Sequence, residues 1–352
     1  MSLGLDAPKA VRPGEELDLP RLGEWLRSHG LPAGGLSLEQ FPRGHSNLTY
    51  LLTAGGRELV LRRPPFGSKV KGAHDMGREA RILVKLHPAF PLAPRVVAAC
   101  EDLLVLGAPF YLMERVRGAI LRGPAPRNLV MDPAQVRVLC AALVRTLASL
   151  HAVDWRAAGL EGKPEGYVRR QVEGWTRRWN DARTEEVPAA EAIARWLAER
   201  IPPERGAAFI HNDFKHDNLV LDPADLTRIT GVLDWEMSTV GDPLMDLGTA
   251  LGYWVEEGDP EPLKAFAFGP TFLPGSFSRA EVVEEYRRAS GRDVTGMLFY
   301  YCFALFKTAA VAQQIYKRYV EGLTKDERFA AFGMGAQILA QQAVEAAERG
   351  TF

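Results

Sequence analysis

Residues 209–218 have the sequence Phe209-Ile210-His211-Asn212-Asp213-Phe214-Lys215-His216-Asp217-Asn218, and Gly231-Val232-Leu233-Asp234-Trp235-Glu236 follows them. The pattern predicts a short apolar strand, a polar loop and a strand at 219–221. A turn at Asp222-Pro223 then leads into a second apolar strand that ends in an acid. Such a hairpin is expected to bring Asp213, Asn218 and Asp234 to neighbouring loops.

These three side chains indicate a particular chemistry. Two carboxylates and an amide oxygen are hard ligands suited to Mg²⁺, which takes its remaining ligands from water and substrate phosphates. In-line phosphoryl transfer needs little more than a carboxylate that orients the attacking hydroxyl and a metal that neutralises phosphate charge. The set therefore indicates a kinase. The alternative, acids in ordinary surface turns, explains each residue singly but not all three in this order.

The motif also resembles a known superfamily. The order is His211-x-Asp213-x-x-x-x-Asn218, then Asp234, then Gly241-Asp242-Pro243-x-x-Asp246-Leu247. It resembles the aminoglycoside phosphotransferase and choline kinase superfamily, in particular the kinase-like domain of acyl-CoA dehydrogenase family members 10 and 11. The resemblance covers the chain from about Leu36 to its last helix. It implies an α+β, bilobal protein-kinase-like fold, with a small antiparallel-sheet N-lobe, a larger mainly helical C-lobe, and ATP and Mg²⁺ as cofactors.

The composition is that of an ordinary globular protein. The 352 residues suffice for one large domain or two lobes. A net charge of −1 argues against a nucleic-acid partner, and no apolar run approaches the ~20 residues that span a bilayer. Cys100, Cys140 and Cys302 are isolated, which predicts buried thiols in a reducing compartment. We expect a cytoplasmic protein without a membrane partner; no pattern indicates an oligomeric state.

Three regions are predicted along the chain: a flexible arm at 1–17, a nucleotide-binding N-lobe at 18–115, and a C-lobe with the catalytic loop and acceptor site at 116–352. The N-lobe prediction rests on five strands, at 36–41, 48–53, 58–62, 96–99 and 110–114, and on a helix at 78–86. The C-lobe prediction rests on helical apolar spacing at 133–151, 189–199, 280–290, 297–319 and 327–347. Residues 161–188 show no clean period.

The resemblance implies a role for each motif residue. Asp213 accepts or orients the proton of the substrate hydroxyl, and Asn218 and Asp234 hold Mg²⁺. Lys215 stands where the kinase loop reaches the γ-phosphate, and its charge would stabilise the transferring phosphoryl group. A solvated lysine is the alternative. Glu236 is either a second metal ligand or the cap of the following helix.

Three other polar residues near the motif are expected to be structural. His211 fixes the loop through hydrogen bonds to the backbone. Asp246 accepts hydrogen bonds from the catalytic loop, and Asp242 caps the helix that begins at Pro243.

The nucleotide is expected to contact the end of the third strand. Arg62 stands where kinases place the lysine that contacts the α- and β-phosphates, and Glu79 is its expected partner. Arginine departs from the superfamily pattern, but a guanidinium binds phosphate bidentately. Arg63 is the competing candidate, although strand alternation sends it to the opposite face. The alternative for the Arg62–Glu79 pair is a surface ion pair of little energetic value.

Two further segments are assigned to nucleotide binding. Gly44, Ser46 and Asn47 lie between the first two strands, where kinases fold a loop over the phosphates. A single glycine is not a kinase Gly-x-Gly-x-x-Gly loop, and an ordinary hairpin turn is the alternative. Glu114 and Val116 belong to the expected inter-lobe hinge, whose backbone would hydrogen-bond adenine.

The acceptor wall is expected to be aromatic and cationic, with candidates Tyr167, Arg170, Trp175, Arg178, Trp179, Tyr253, Trp254, Lys307, Tyr316 and Arg318. Cationic acceptors need acids or aromatic cages, so this mixture favours an anionic or CoA-linked acceptor. The acyl-CoA dehydrogenase-associated branch suggests a hydroxyacyl-CoA-like metabolite. The alternatives are an aminoglycoside or amino-alcohol kinase and a non-catalytic nucleotide-binding pseudokinase, for which Arg62 and the sparse glycine loop leave room.

Overall fold

The computed structural model describes residues 7–42, 47–66, 75–123, 129–265, 267–324 and 327–352. The chain divides into two compact units. Unit 1 consists of Met1–Ile120, Ala157–Leu160 and Leu219–Glu236, and unit 2 consists of Leu121–Arg156, Glu161–Asn218 and Met237–Phe352. The sequence predicts a single boundary after residue 115. In the structure, the first boundary lies after Ile120, and the later segment Leu219–Glu236 also belongs to unit 1.

A five-stranded antiparallel sheet forms the centre of unit 1, in the order β1-β2-β3-β5-β4. Its strands are β1 (Ser37–Gln40), β2 (Leu48–Ala54), β3 (Arg57–Arg63), β4 (Val96–Cys100) and β5 (Phe110–Glu114). The predicted strands are confirmed, with ends that differ by at most one residue. Leu59 and Leu61 of β3 enter the apolar core on one face of the sheet. Because side chains alternate along a strand, Arg62 lies on the opposite face.

Three helices accompany this sheet: α1 (Leu19–Ser28), α2 (Met76–Leu86) and the short α3 (Leu103–Leu106). Each follows an aspartate whose carboxylate accepts a hydrogen bond from a backbone N–H of the first turn: Asp18, Asp75 and Asp102. Such caps satisfy amides that have no partner inside the helix. The cap at Asp75 explains why α2 begins two residues before the predicted start.

Residues 7–17 differ from the expected flexible arm. Lys9 exchanges two backbone hydrogen bonds with Gln40 of β1, and the Tyr50 hydroxyl donates to the Glu15 carbonyl oxygen at 2.8 Å. Val11 and Leu17 pack against the apolar core of the sheet. This part of the arm is therefore bound to unit 1. The sequence does not predict this packing, because isolated apolar residues among prolines and charged residues show no periodic spacing.

Two short antiparallel ladders carry the sequence motif. β6 (Ala208–Ile210) pairs with β9 (Thr239–Gly241) in unit 2, and β7 (Leu219–Asp222) pairs with β8 (Asp225–Val232) in unit 1. The Val232 amide donates to the Leu92 carbonyl oxygen at 2.8 Å. Trp235 is 1% exposed, and its ring meets that of Phe90 edge-on at 5.9 Å. These contacts fix the segment that carries Asp234 within unit 1.

Unit 2 is mainly helical. Its helices are α4 (Pro133–His151), α5 (Tyr167–Ala182), α6 (Pro188–Glu199), α7 (Pro243–Gly252), α8 (Glu261–Ala265), α9 (Arg279–Ser290), α10 (Met297–Val320) and α11 (Ala331–Arg349). The predicted helices are confirmed, except that 3₁₀ geometry over Glu327–Ala330 delays the start of α11. Helix α5 occupies the region without a clean predicted period. Its apolar residues share one buried face, and the interleaved charges obscured their spacing.

One helix among the described residues, α4, has the length and hydropathy of a membrane span, and half of its apolar window is buried. Core helices of globular proteins meet the same two criteria. Within unit 2, α4 packs against α9, and the buried side chains Leu143, Leu147 and Leu150 lie on it.

Candidate active site

The Asp213 carboxylate is surrounded by hydrogen-bond donors of unit 2. Lys215 Nζ lies 2.8 Å from each of its oxygens. The Tyr253 hydroxyl donates to Oδ1 at 2.8 Å, and Asn218 Nδ2 donates to Oδ2 at 2.9 Å. A carboxylate offers about four acceptor positions. All of them are therefore used in this arrangement.

These donors keep Asp213 ionised. Burial alone would raise the pKa of Asp213, but the Lys215 ammonium and the hydrogen bonds from Lys215 and Tyr253 lower it below its ordinary value. A carboxylate that stays charged near neutral pH can accept a proton or orient a hydroxyl.

Lys215 is held by the Asp213 carboxylate and by two aromatic rings. Its Nζ binds Asp213 and lies 4.9 Å from the Tyr253 ring centroid and 5.0 Å from that of Phe268. The two rings are themselves in edge contact, and cations are attracted to aromatic faces at this distance. Lys215 is thus neither a solvated lysine nor free to bind phosphate without leaving Asp213.

The backbone before Asp213 is held in an uncommon conformation. Asn212 has a φ of 66°, in the left-handed region that asparagine enters more easily than most residues. Asp246 accepts from the amides of His211 at 2.6 Å and Asn212 at 2.7 Å. Lys307 Nζ donates to the Asn212 carbonyl oxygen at 2.8 Å. The expectation that Asp246 supports this loop is confirmed.

Asp246 is itself supported by a buried histidine. His151 Nε2 lies 3.1 Å from Asp246, and His151 Nδ1 lies 2.7 Å from the Tyr286 hydroxyl. Burial would raise the pKa of Asp246, but His151 lowers it. The Asp242 carboxylate accepts from the Leu244 amide and so caps α7, as expected. His211 Nδ1 accepts from the Asp213 amide at 3.2 Å, which agrees with a structural role.

In unit 1, Arg62 binds two carboxylates. Its guanidinium lies 2.9 Å from Glu79, the expected partner, and 3.0 Å from Asp234. Burial would lower the pKa of Arg62, but Glu79 and then Asp234 and Glu236 hold it well above its ordinary value. The surface-pair alternative does not apply, because the Arg62 and Glu79 side chains are only 9% and 2% exposed. Arg63 lies on the other face and donates to the Leu106 carbonyl oxygen.

Glu236 connects the same cluster to the segment before β2. Its carboxylate accepts from Asn47 Nδ2 at 2.7 Å, and its carbonyl oxygen accepts from Arg78 at 3.0 Å. Gly44 and Ser46, assigned to the same loop as Asn47, lie outside the described residues. The sequence predicts Glu236 as a second metal ligand or as the cap of the following helix. It does not predict the contact with Asn47.

The expected hinge follows β5. The Glu114 side chain lies 3.2 Å from Arg95, and its amide donates to the Arg95 carbonyl oxygen. The Val116 side chain lies against Gly231. Within the described part of the chain, the Val116 backbone has no hydrogen-bond partner. The assignment of Val116 to base binding stays a prediction.

The candidate metal ligands keep oxygens free. Asn218 uses its amide nitrogen to bind Asp213 twice, so its Oδ1 points away from that carboxylate. Asp234 uses Oδ1 for Arg62, and its Oδ2 accepts nothing from any described residue. Asp234 also has a left-handed φ of 68°. No cluster of three His, Cys, Asp or Glu occurs in the described ranges, whereas a Mg²⁺ site completed by phosphates and water needs fewer protein ligands.

The residues predicted to form the acceptor wall lie in different environments in the structure. Trp179 and Trp254 are core residues, 1% and 2% exposed. Tyr167 bonds to Asn212, and Tyr253 bonds to Asp213. Arg170 donates to the backbone carbonyls of Lys163 and Glu165. Sequence reasoning assigned Tyr253 to the acceptor and so missed its contact with Asp213, which no local pattern reveals.

Comparison with known proteins gives the family. The model of the phosphotransferase enzyme family, APH, matches residues 37–282. Acyl-CoA dehydrogenase family member 11 of Gallus gallus is 36% identical over 91% of this chain. This chain spans only 42% of that relative's length.

Solved structures agree. A Ralstonia eutropha structure, provisionally assigned as an aminoglycoside phosphotransferase, has a TM-score of 0.81 and 34% identity, over 95% of this chain and 99% of its own. A choline kinase from Cryptosporidium parvum shares the fold, with a TM-score of 0.62 and 12% identity, over 94% of this chain and 96% of its own. The predicted α+β, kinase-like fold class is confirmed. The chain belongs to the APH phosphotransferase enzyme family.

Proposed function

We propose that this chain is an ATP- and Mg²⁺-dependent phosphotransferase that moves the γ-phosphate of ATP to a hydroxyl of a small molecule. The observation that carries the proposal is the largely buried Asp213 carboxylate, kept ionised by Lys215 and Tyr253. Family membership supports phosphoryl transfer in general. The nucleotide, the metal and the acceptor are the proposed details.

The reaction assigns a task to each residue of the Asp213 cluster. Asp213 accepts the hydrogen bond of the acceptor hydroxyl and takes its proton as the oxygen attacks the γ-phosphorus. The bond between that phosphorus and the bridging oxygen breaks, and ADP leaves. Lys215 moves from Asp213 to the transferring phosphoryl group, where its charge stabilises the transition state. Its departure frees the acceptor positions of Asp213 that the hydroxyl needs.

Asn218 and Asp234 would hold Mg²⁺ through the oxygens that they keep free. The metal would supply neutralisation of phosphate charge. In unit 1, Arg62 would contact the phosphates while Glu79 holds its guanidinium. Asn47, fixed by Glu236, would donate to the same phosphates.

For the acceptor we propose a hydroxyacyl-CoA or a similar hydroxylated metabolite. Several curated relatives are named as acyl-CoA dehydrogenase family members. Their chains are more than twice as long as the part that matches this chain. An aminoglycoside or an amino alcohol is the alternative, favoured by the name of a weaker relative, viomycin phosphotransferase of Streptomyces vinaceus.

The test is ADP release from ATP and Mg²⁺ in the presence of hydroxyacyl-CoAs, amino alcohols, sugars and aminoglycosides. Acceptor-stimulated release should fall by about 10²–10⁴-fold in Asp213→Asn. It should be unchanged in Asp225→Asn, which alters the exposed first residue of β8. Equal activity of wild type and Asp213→Asn would refute the catalytic assignment.

A non-catalytic nucleotide-binding protein is the second candidate, favoured by the ion pair that Arg62 makes with Asp234. Nucleotide binding without ADP release, across the whole acceptor panel, would support it. The absence of nucleotide binding would contradict both candidates.

A further inference from the structure

A buried lysine beside the Asp213 loop has unused hydrogen-bond donors. Lys307 of α10 is 7% exposed, and its Nζ donates to the Asn212 carbonyl oxygen at 2.8 Å. An ammonium group has three N–H donors. In the described ranges of the chain Lys307 makes no second hydrogen bond and no ion pair. A buried charge is costly unless it is paired. A buried ammonium group without a carboxylate partner is therefore unexpected.

A second cation shares an aromatic neighbour with Lys307. The guanidinium of Arg178 lies 4.6 Å from the ring centroid of Trp175, and Lys307 Nζ lies 6.0 Å from the same centroid. Trp175 is 7% exposed, whereas Arg178 is exposed on α5. As far as the structure describes the chain, Arg178 pairs with no carboxylate. Two positive groups therefore flank one indole ring.

The nearby carboxylates accept their hydrogen bonds from groups other than Lys307 and Arg178. Asp213 accepts from Lys215, Tyr253 and Asn218. Asp246 accepts from two backbone amides and His151. Burial lowers the pKa of Lys307; the charges of Asp213 and Asp246 oppose this effect, and those of Lys215 and Arg178 add to it. Neither carboxylate forms an ion pair with Lys307 or Arg178 within the described residues.

We propose that Lys307, Arg178 and Trp175 form a subsite for an anionic oxygen group of the phosphate acceptor. This inference rests on the proposed function, because it places the anion on the molecule whose hydroxyl meets Asp213. Lys307 donates its two unused N–H groups to the anion, Arg178 adds a charge from the solvent side, and the indole contacts the adjoining apolar part. The acceptor class is a hydroxylated anion, and cationic amino alcohols are disfavoured.

Two sources can supply the anionic oxygens: the carboxylate of a free hydroxy acid and the phosphates of a CoA thioester. Their arrangement differs, since the thioester group itself is neutral and the phosphates are remote from the hydroxyl. The acceptor panel therefore contains hydroxy acids of several chain lengths, their neutral amides, their CoA thioesters and their N-acetylcysteamine thioesters. A preference for the acid over the amide indicates the carboxylate, and a preference for CoA over N-acetylcysteamine indicates the phosphates.

The variants are Arg178→Gln, which alters an exposed residue and should fold normally, and Lys307→Met. Each should raise the KM for the anionic acceptor about tenfold, as expected for the loss of a hydrogen bond to a charged group. Arg178→Gln should leave kcat within twofold and the KM for ATP unchanged. The control is Lys317→Met, also on α10, whose Nζ binds the Asp181 carbonyl oxygen. It should change neither constant.

The subsite is overturned if neutral or cationic acceptors are used as well as anionic ones. It is also overturned if Arg178→Gln and Lys307→Met keep the anion preference of the wild type. If no acceptor stimulates ADP release, the proposed function fails, and equilibrium binding of the same hydroxy acids decides the subsite separately. Saturable binding that Arg178→Gln weakens about tenfold would support the subsite. No binding, or binding that the variant does not change, would contradict it.

Discussion

The guanidinium of Arg62 lies as close to Asp234 as to Glu79, at 3.0 and 2.9 Å. One residue at the end of β3 thus holds both the buried carboxylate of α2 and the candidate metal ligand. The planar fork of arginine can reach two acceptors at once, which a lysine ammonium in the same place does with less fixed geometry. An arginine at this position therefore has a structural consequence within unit 1.

Removal of this guanidinium should destabilise the protein. Arg62→Met leaves the Glu79 carboxylate, 2% exposed, without a counter-charge, and we expect a loss of about 3–5 kcal/mol in the free energy of unfolding. Adding Glu79→Gln should restore part of that loss. The measurement is urea unfolding of both variants. The control is Arg81→Met on α2, the helix that carries Glu79. The exposed ion pair of Arg81 with Glu101 should contribute less than about 1 kcal/mol. An equal effect of Arg62→Met and Arg81→Met would contradict the prediction.

The hydrogen bond from Tyr253 to Asp213 should appear in the pH dependence of turnover. Tyr253→Phe removes a donor that stabilises the ionised carboxylate, so the pKa of Asp213 rises. Because Asp213 acts when ionised, the acidic limb of the kcat profile should move to higher pH, and kcat should fall about fivefold to tenfold.

Tyr301→Phe is the matched control for this variant. The buried Tyr301 hydroxyl has no hydrogen-bond partner among the described residues. Its removal should leave both kcat and the position of the acidic limb unchanged. A Tyr253→Phe profile that coincides with that of Tyr301→Phe would exclude a positioning role for Tyr253.

Local sequence patterns predicted those parts of the site that depend on a single element. Strand alternation separated Arg62 from Arg63. The capping role of Asp242 followed from its place before Pro243. In each case the residue's neighbours in the chain determine its direction.

Contacts between distant segments were not predictable in this way. Asn47 binds Glu236 across 189 positions, and Tyr253 binds Asp213 across 40. No periodicity relates such residues, because their approach depends on how helices and strands pack. The same reason explains why Trp179, a core residue, was indistinguishable by sequence from a pocket residue.

Acid should weaken the loop that carries Asp213. Burial lowers the pKa of His216 from 6.5 to about 4, so the unfolded chain binds the proton more tightly than the folded one. Stability from this histidine is therefore complete above about pH 6.5 and is lost as the pH falls towards 4. At pH 5 the loss should be about 2 kcal/mol. Urea unfolding of wild type and His216→Gln at pH 5 and 8 measures it. The prediction fails if both proteins lose the same free energy.

Two helical glycines of unit 2 should respond oppositely to alanine. A Cβ on Gly248 of α7 would lie 2.6 Å from the Tyr300 carbonyl oxygen of α10, a backbone atom that cannot move alone. Gly248→Ala should therefore cost about 3 kcal/mol or prevent folding. A Cβ on Gly174 of α5 meets nothing closer than the flexible end of Arg178, at 3.5 Å. Gly174→Ala should stabilise the protein by about 0.5–1 kcal/mol. Thermal unfolding compares the two, and similar midpoints would show that α7 and α10 do not require this close approach.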